Sequence, residues 1–352
     1  MGQQRHVTMK DVAAFAGVAP STVSYVLSNR APIGEETRAR VLRAIEQLGY
    51  RRNMNAASLR HNATGMIGLI IPNITNPFYG EITIGVESVA QEHGYIVNYG
   101  NTNYTPALTA RYLEAFVERR VDGVILVDAV PENLVPLRQC HMPVVLVDPQ
   151  PSVVTDEFPT VDTEDRTAAH DLVAHLIRLG HRRIAFLNLG HGGPRQDGYL
   201  DALREADLAS DPALITSAEN TVDLIGVGQH LTEQLLASGA QPTALFGATD
   251  QMALGAMRAT REMGLRIPED IAVVGFDNIA YATLVTPPLT TVAQPTFRMG
   301  SVAMRLLSES IKGHAEQAPR RVLLPTELIV RGSCGTGSGQ SRKPSKNREE
   351  NR

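Results

Sequence analysis

The stretch VTMKDVAAFAGVAPSTVSYVLS, residues 7–28, decides how the start of this chain folds. Val12, Ala13 and Ala16 share one face of a helical pattern, and Val18, Thr22, Val23 and Val26 recur at helical spacing in a second. Thr8 can cap the first helix, with Asp11 three residues on in a capping-box arrangement that also suits the positive helix end. Gly17 supplies the left-handed backbone of a tight turn. Ala13 is small where the helices cross, and Pro20 falls at a first helical position, where its missing N–H costs nothing. Two short packed helices with this turn make a helix-turn-helix. Once the core is assigned, Pro20, Ser21 and Tyr25 are left facing outward, toward a DNA major groove. The competing reading is a small helical hairpin with no DNA role.

Working outward, residues 35–48 form a third helical pattern with Thr37, Val41, Ile45 and Leu48 at periodic positions and Gly49 as its stop. Asn53 can cap a short helix over 54–59, followed by Arg60 and the polar stretch 61–65. Residues 1–60 hold nine Lys/Arg against four Asp/Glu, so this head carries +5 within a chain whose net charge is −4. A module that contacts phosphates has this balance.

From Met66 the pattern changes. Short apolar runs (MIGLIIP, YIVNYG, GVILVD, PVVLVD, RRIAFLNL, LITSAE, ALFGATD, IAVVGFD) read as buried parallel strands. Between most of them lie helical segments, among them 78–93, 107–119, 166–179 and 251–263. Such alternation predicts doubly wound α/β sheets. Two sheets fit better than one, with a break near 156–162, and ligands in this architecture sit beyond the carboxyl ends of the strands. A cleft between two lobes follows.

The segments KDVAAFAGVAPSTVSYVL, EETRARVLRAIEQLGY and NAASLR resemble the DNA-binding head and hinge helix of the LacI/GalR family of bacterial regulators. ATDQMALGAMRATREMGLRIPEDIAVVGFDN and PPLTTVAQP resemble the effector-binding core of the same family, itself similar to periplasmic sugar-binding proteins. The resemblance runs over residues 7–333. It implies that Pro20, Ser21 and Tyr25 read bases, that Thr8, Thr22, Ser24 and Asn29 join the DNA contacts, and that Leu59 from each of two hinge helices wedges into the minor groove, kinking the operator. Ala19 stands where the family usually has a serine that caps helix two, a loss of roughly 1 kcal/mol of capping. The resemblance also implies two lobes joined by three crossovers, the chain after about residue 295 returning to the first lobe before the last strand rejoins the second.

Within the cleft, Asp277 ends the strand IAVVGF, and Arg195 opens R-Q-D-G-Y, which matches the family's R-x-x-G-[FY] motif. Aspartate and arginine can each bond two neighbouring hydroxyls, a geometry suited to sugars. Phe78, in Asn76-Pro77-Phe78-Tyr79, offers an aromatic face, and Asp162, Phe246 and Thr249 match further family ligand contacts. Against these stand plainer roles: a helix-capping Asp, a surface ion-paired Arg, core aromatics.

The expected fold is α/β: a three-helix head (1–52), a hinge helix and linker (53–64), a two-lobed doubly wound core of the periplasmic-binding-protein kind (65–334), and a Gly/Ser/charge-rich disordered tail (335–352). The expected function is a DNA-binding repressor of a palindromic operator, controlled by a small polar effector, a sugar by expectation. The tail lacks leucine heptads, which favours a homodimer.

Cys140 and Cys334 are too few for a disulfide framework or a zinc site, and a reducing cytosol fits. No run of about 18 apolar residues and no signal-peptide start is present, so no membrane partner is expected and the Asn-x-Thr triplets at Asn62, Asn73 and Asn103 carry no glycosylation meaning. An enzyme, a cofactor and a metal are not expected: G-x-S-x-G, the phosphate loop and H-E-x-x-H are absent, and His170 and His175 are five apart. Asp162, Asp165 and Asp171 read as residues near a helix start, where the dipole favours acids. A solute-binding protein of the same core fold is the alternative, against which the basic head argues.

Overall fold

The computed structural model describes residues 7–28, 33–50, 63–153, 156–190, 192–218, 221–314 and 320–335. They fall into two compact units that divide between Thr64 and Gly65. Asn29, the expected hinge helix with Leu59, and the tail from 336 onward lie outside the described residues.

In the first unit, α1 (Met9–Ala16), α2 (Pro20–Ser28) and α3 (Glu35–Leu48) pack around Val12, Ala13, Val23, Val26, Val41 and Ala44. The capping box at Thr8 is complete: its backbone N–H and hydroxyl donate to Asp11 Oδ2 at 2.8 and 2.7 Å, and its hydroxyl accepts from Asp11 N. Gly17 has φ +64°, where a Cβ would be strained, and its conformation turns the chain into α2. Ala19 starts α2 through its carbonyl alone, accepting from Thr22 N at 2.9 Å.

The second unit holds two six-stranded sheets, in the order β11-β5-β4-β3-β1-β2 and β12-β10-β9-β8-β6-β7. The first contains β1 (Met66–Ile71), β2 (Ile96–Asn101), β3 (Gly123–Val127), β4 (Val144–Val147), β5 (Thr160–Thr163) and β11 (Arg321–Leu324), all parallel. The second contains β6 (Ile184–Leu189), β7 (Ile215–Ala218), β8 (Ala244–Gly247), β9 (Ala272–Asp277), β10 (Thr290–Ala293) and β12 (Glu327–Ile329), parallel except for the β10–β12 pair. The eight apolar runs all became strands. The helices α4 (Pro77–Glu92), α5 (Pro106–Glu118), α7 (Asp165–Arg178) and α10 (Asp250–Glu262) begin and end one residue before expectation, while α6 (Leu134–Gln139), α8 (Pro194–Glu205), α9 (Leu224–Ala237) and α11 (Thr296–Ile311) complete the layers.

Two expectations need correction. The break between lobes does not fall at 156–162, because TVDT forms β5 inside the first sheet, paired with β4 and β11; the chain crosses just after it, into α7. Nor is every run buried: β2 is an edge strand whose Ile96 and Tyr99 are exposed. The later crossings match the expectation. α11 leaves the second sheet after β10 and buries Met299, Ala303, Met304 and Leu307 in the first lobe's core, and β11 then lies in the first sheet and β12 in the second. Three crossings result. Among the described residues no helix is long and apolar enough to cross a membrane.

Candidate functional site

In the head, α2 buries Val23 and Val26 and leaves Pro20, Ser21 and Tyr25 exposed, with Thr22 and Ser24 half-buried beside them. These follow from the 3.6-residue period once Val23 and Val26 are turned inward. Thr8 is exposed but its hydroxyl is committed to the cap on Asp11.

In the second unit the carboxyl ends of both sheets open on one cavity of about 960 Å³ between the lobes. Phe78, Asp162, Arg195, Thr249 and Asp277 all line it. Arg195 sits in the first turn of α8, with Nε donating to Asp165 Oδ2 at 2.8 Å and Nη1 to the carbonyl of Ala248 at 2.6 Å. Asp277 Oδ1 lies 3.7 Å from that Nη1, and the guanidinium carbon is 4.0 Å from the centre of the Phe276 ring. Burial opposes the charge, yet Asp165, Asp277 and Asp148 outweigh it and push the guanidinium pKa up. Arg195 is a fixed cation.

The R-Q-D-G-Y motif now has a physical reading beyond its arginine. A Cβ on Gly198 would stand 2.1 Å from the carbonyl of Arg166, so this glycine lets α7 and α8 touch along their backbones. That contact carries Asp165, on α7, to Arg195, on α8. Tyr199 anchors the helix in the core, its ring stacked 5.4 Å from Phe186 and its hydroxyl donating to Ile184 O at 2.9 Å.

Asp277 ends β9 at φ +116°, a backbone conformation that side-chain-bearing residues rarely adopt. Its surroundings hold it there. Gln294 Nε2 donates to Asp277 Oδ1 at 2.9 Å, and the next turn is tied down by Ile279 N donating to the buried carboxylate of Asp250 at 2.9 Å. Burial raises the Asp277 pKa, and Arg195 and Gln294 pull it back only in part. Thr163 Oγ1 lies 2.6 Å from Asp165 Oδ1 and 3.0 Å from Gln294 Oε1, its one proton shared between these two acceptors. Thr163 and Gln294 lie at the first and second crossings, so the polar wall of the cavity runs into the hinge between the lobes.

Asp162 is paired with Arg321 Nη2 at 2.9 Å, a bond across β5 and β11. Thr249 caps α10, accepting from Met252 N at 3.2 Å, as Asn76 caps α4 by accepting from Phe78 N at 3.1 Å. Phe246 is a correction: it does not line the cavity. It is wholly buried in β8, opposite Phe186 in the register and 4.9 Å from that ring. A side chain inside the strand faces the layer between sheet and helices, and only Ala248 and Thr249, past its end, reach the cleft.

Several lining residues went unselected in the sequence. Asp128 and Asp148 follow β3 and β4 as Asp277 ends β9, and the signal was present in GVILVD and PVVLVD, each an apolar run closed by aspartate. Burial raises the pKa of Asp128 to about 7, against the lowering effects of a Gln150 hydrogen bond and of Arg195. Tyr79 and Tyr104, with hydroxyls 3.4 Å apart, complete an aromatic wall with Phe78, whose ring meets Tyr79 edge-on at 5.2 Å.

Residues 8–53 match the family described as bacterial regulatory proteins, lacI family, and residues 173–334 the periplasmic binding protein-like domain. The chain is 34% identical over 342 residues to the HTH-type transcriptional repressor CytR of Escherichia coli (strain K12), covering 94% of this chain and 97% of that one. Among solved structures it resembles the lac repressor dimer bound to operator and the anti-inducer ONPF (28% identity, TM-score 0.82, 94% and 99% covered). It also resembles a transcriptional regulator CelR–cellobiose complex (32% identity, TM-score 0.70, 93% and 100% covered).

Proposed function

Because the chain belongs to the LacI family of bacterial regulatory proteins, we propose that it represses transcription from a palindromic operator and is controlled by a small polar effector, a sugar or sugar-like molecule, held between the lobes. The observation that carries this reading is the set Arg195, Asp165 and Asp277 fixed at the mouths of two sheets around one cavity. The relatives are transcription regulators rather than enzymes, and two of the solved ones hold operator DNA or cellobiose. Effector contacts are assigned to Phe78, Asp162, Arg195, Thr249 and Asp277. DNA contacts are assigned to Pro20, Ser21 and Tyr25, supported by Thr8, Thr22, Ser24, Asn29 and, in the minor groove, Leu59.

The working division is head 1–52, hinge 53–64, core 65–334 and tail 335–352, in the cytoplasm. The active species is a homodimer, which a palindrome requires. Exposed Ile84, Ile96 and Tyr99 on the first lobe and Tyr281 and Leu284 on the second are apolar side chains that a second copy would cover. Effector binding between the lobes changes their arrangement and so decides whether paired hinges can engage the operator. Calorimetry with an effector found by operator release tests the cleft: Arg195→Ala and Asp277→Asn should each lose about ten- to a hundredfold in affinity while operator binding persists. Unchanged affinity in both variants would place the effector elsewhere.

A further inference from the structure

Resting on the reading of the cleft as the effector site, the charges of its wall narrow the chemistry of what it takes. Seven carboxylates and three guanidinium groups line the cavity. Each guanidinium is already committed: Arg195 to Asp165 and Asp277, Arg321 to Asp162, and Arg166 to Asp201 at 2.7 Å, away from the cavity. Asp128 and Asp148 are different. Among the described residues neither has a Lys, Arg or His within ion-pair distance.

These two residues follow neighbouring strands. Val127 and Val147 are paired in the parallel register of β3 and β4, so the aspartates that follow them begin about 4.8 Å apart at the backbone. Both have left-handed backbones, with φ +55° and +48°, and Asp128 N donates to Val147 O at 2.9 Å, which ties one strand end to the other. Tyr79, Tyr104 and Phe78 line the same cavity. Among the described residues the groups that act on this corner are Asp148, Asp165, Asp162, Tyr79, Tyr104, Gln150 and one cation, Arg195, whose Nε and Nη1 are already bonded to Asp165 and the Ala248 carbonyl. Neighbouring carboxylates withdrawn from water repel each other and are costly unless a cation joins them. Aromatic faces add a second attraction for a cation.

We propose that the effector carries a protonated amine, seated by Asp128 and Asp148 against the tyrosine wall, on a hydroxylated body held by Arg195 and Asp277. An anionic effector, such as a sugar phosphate or uronate, meets two uncompensated carboxylates and finds the helix starts at the cavity already capped by Asn76 and Thr249. A neutral polyol can donate hydrogen bonds to Asp128 and Asp148 but brings no positive charge to offset the cost of their burial.

The experiment is calorimetry on the full chain with three matched series, each in gluco, galacto and manno configuration: the neutral hexoses, the corresponding hexoses bearing an aliphatic amine, and the hexose 6-phosphates. An amine-bearing member should bind at least ~10-fold more tightly than its neutral counterpart and ~100-fold more tightly than its phosphate. Asp128→Asn and Asp148→Asn should each remove most of the tenfold preference for the amine over the neutral sugar measured on the same variant. A neutral sugar or phosphate binding as tightly as its amine counterpart overturns the inference; if Arg195→Ala abolishes that binding, the cleft remains the effector site and only the charge assignment falls. Silence of the amine series also overturns it, and silence of all three removes the sugar-like effector as well.

Discussion

Asp128 shows what a single residue contributes to the site. Its carboxyl holds a proton more tightly in the folded protein, with a pKa of about 7, than in the unfolded chain, chiefly because burial disfavours its charge. The stability this group contributes is therefore complete below about pH 4 and is lost as the pH rises through about 7. Asp128→Asn should gain little over the parent at pH 4.5 and much more at pH 8, by about 2–4 °C for each kcal/mol of relieved destabilisation. Melting curves of the unliganded protein at both values decide this, and a variant that is less stable at pH 8 would show that the carboxylate is compensated. The site keeps a costly ionised group, as expected where binding rather than stability is served.

At the level of elements, two helices carry predictions. On α2 the exposed Tyr25 points away from the core formed by Val23 and Val26. Tyr25→Ala should alter the preferred operator at one base position per half-site at a cost of about 1–3 kcal/mol, leaving non-specific DNA binding intact. An unaltered sequence-selection profile would remove α2 as the reader. On α8, Gly198→Ala has no room: the added methyl meets the Arg166 carbonyl and the His170 amide of α7, and the helices must part. Overpacking of this kind costs about 1–3 kcal/mol. Because Asp165 and Arg195 ride on the two helices, effector affinity should fall together with the melting temperature, whereas a lower melting temperature with full affinity would separate the helix contact from the site.

For the whole molecule, the proposed control runs through residues 53–59, between head and core. A helix this short is not stable in isolation, since nucleation dominates below ~12 residues. In the proposed mechanism the hinge helix forms only with DNA and a dimer mate, and a lobe rearrangement worth a few kcal/mol then decides operator occupancy. Leu59→Gly should weaken operator binding strongly while leaving salt-sensitive binding to random DNA and effector binding nearly unchanged, because the basic residues of the head remain. Titrations on operator and random DNA at two salt concentrations measure this; equal losses on both would reduce the segment to a tether.

The head was legible almost residue by residue because Thr8, Asp11, Gly17 and Pro20 act on neighbours a few positions away, through caps and dihedral limits that belong to the local chain. The apolar runs that became β1, β3, β4, β6, β8 and β9 were legible for a related reason, since burial on both faces demands continuous apolar sequence, whereas the edge strands β2 and β7 only partly follow it. The short strands β5, β10, β11 and β12 were not: TVDT, TTVA, RVLL and ELI mix polar or charged residues into three or four positions, and β11 belongs to the first sheet only because α11 crosses back before it. Arg195 and Asp277 could be named from their motifs. That Asp128 and Asp148 share the cavity wall with them while Phe246 is turned into the core depends on sheet order, strand register and the facing of two lobes. Those are relations between residues far apart in sequence, and packing alone decides them.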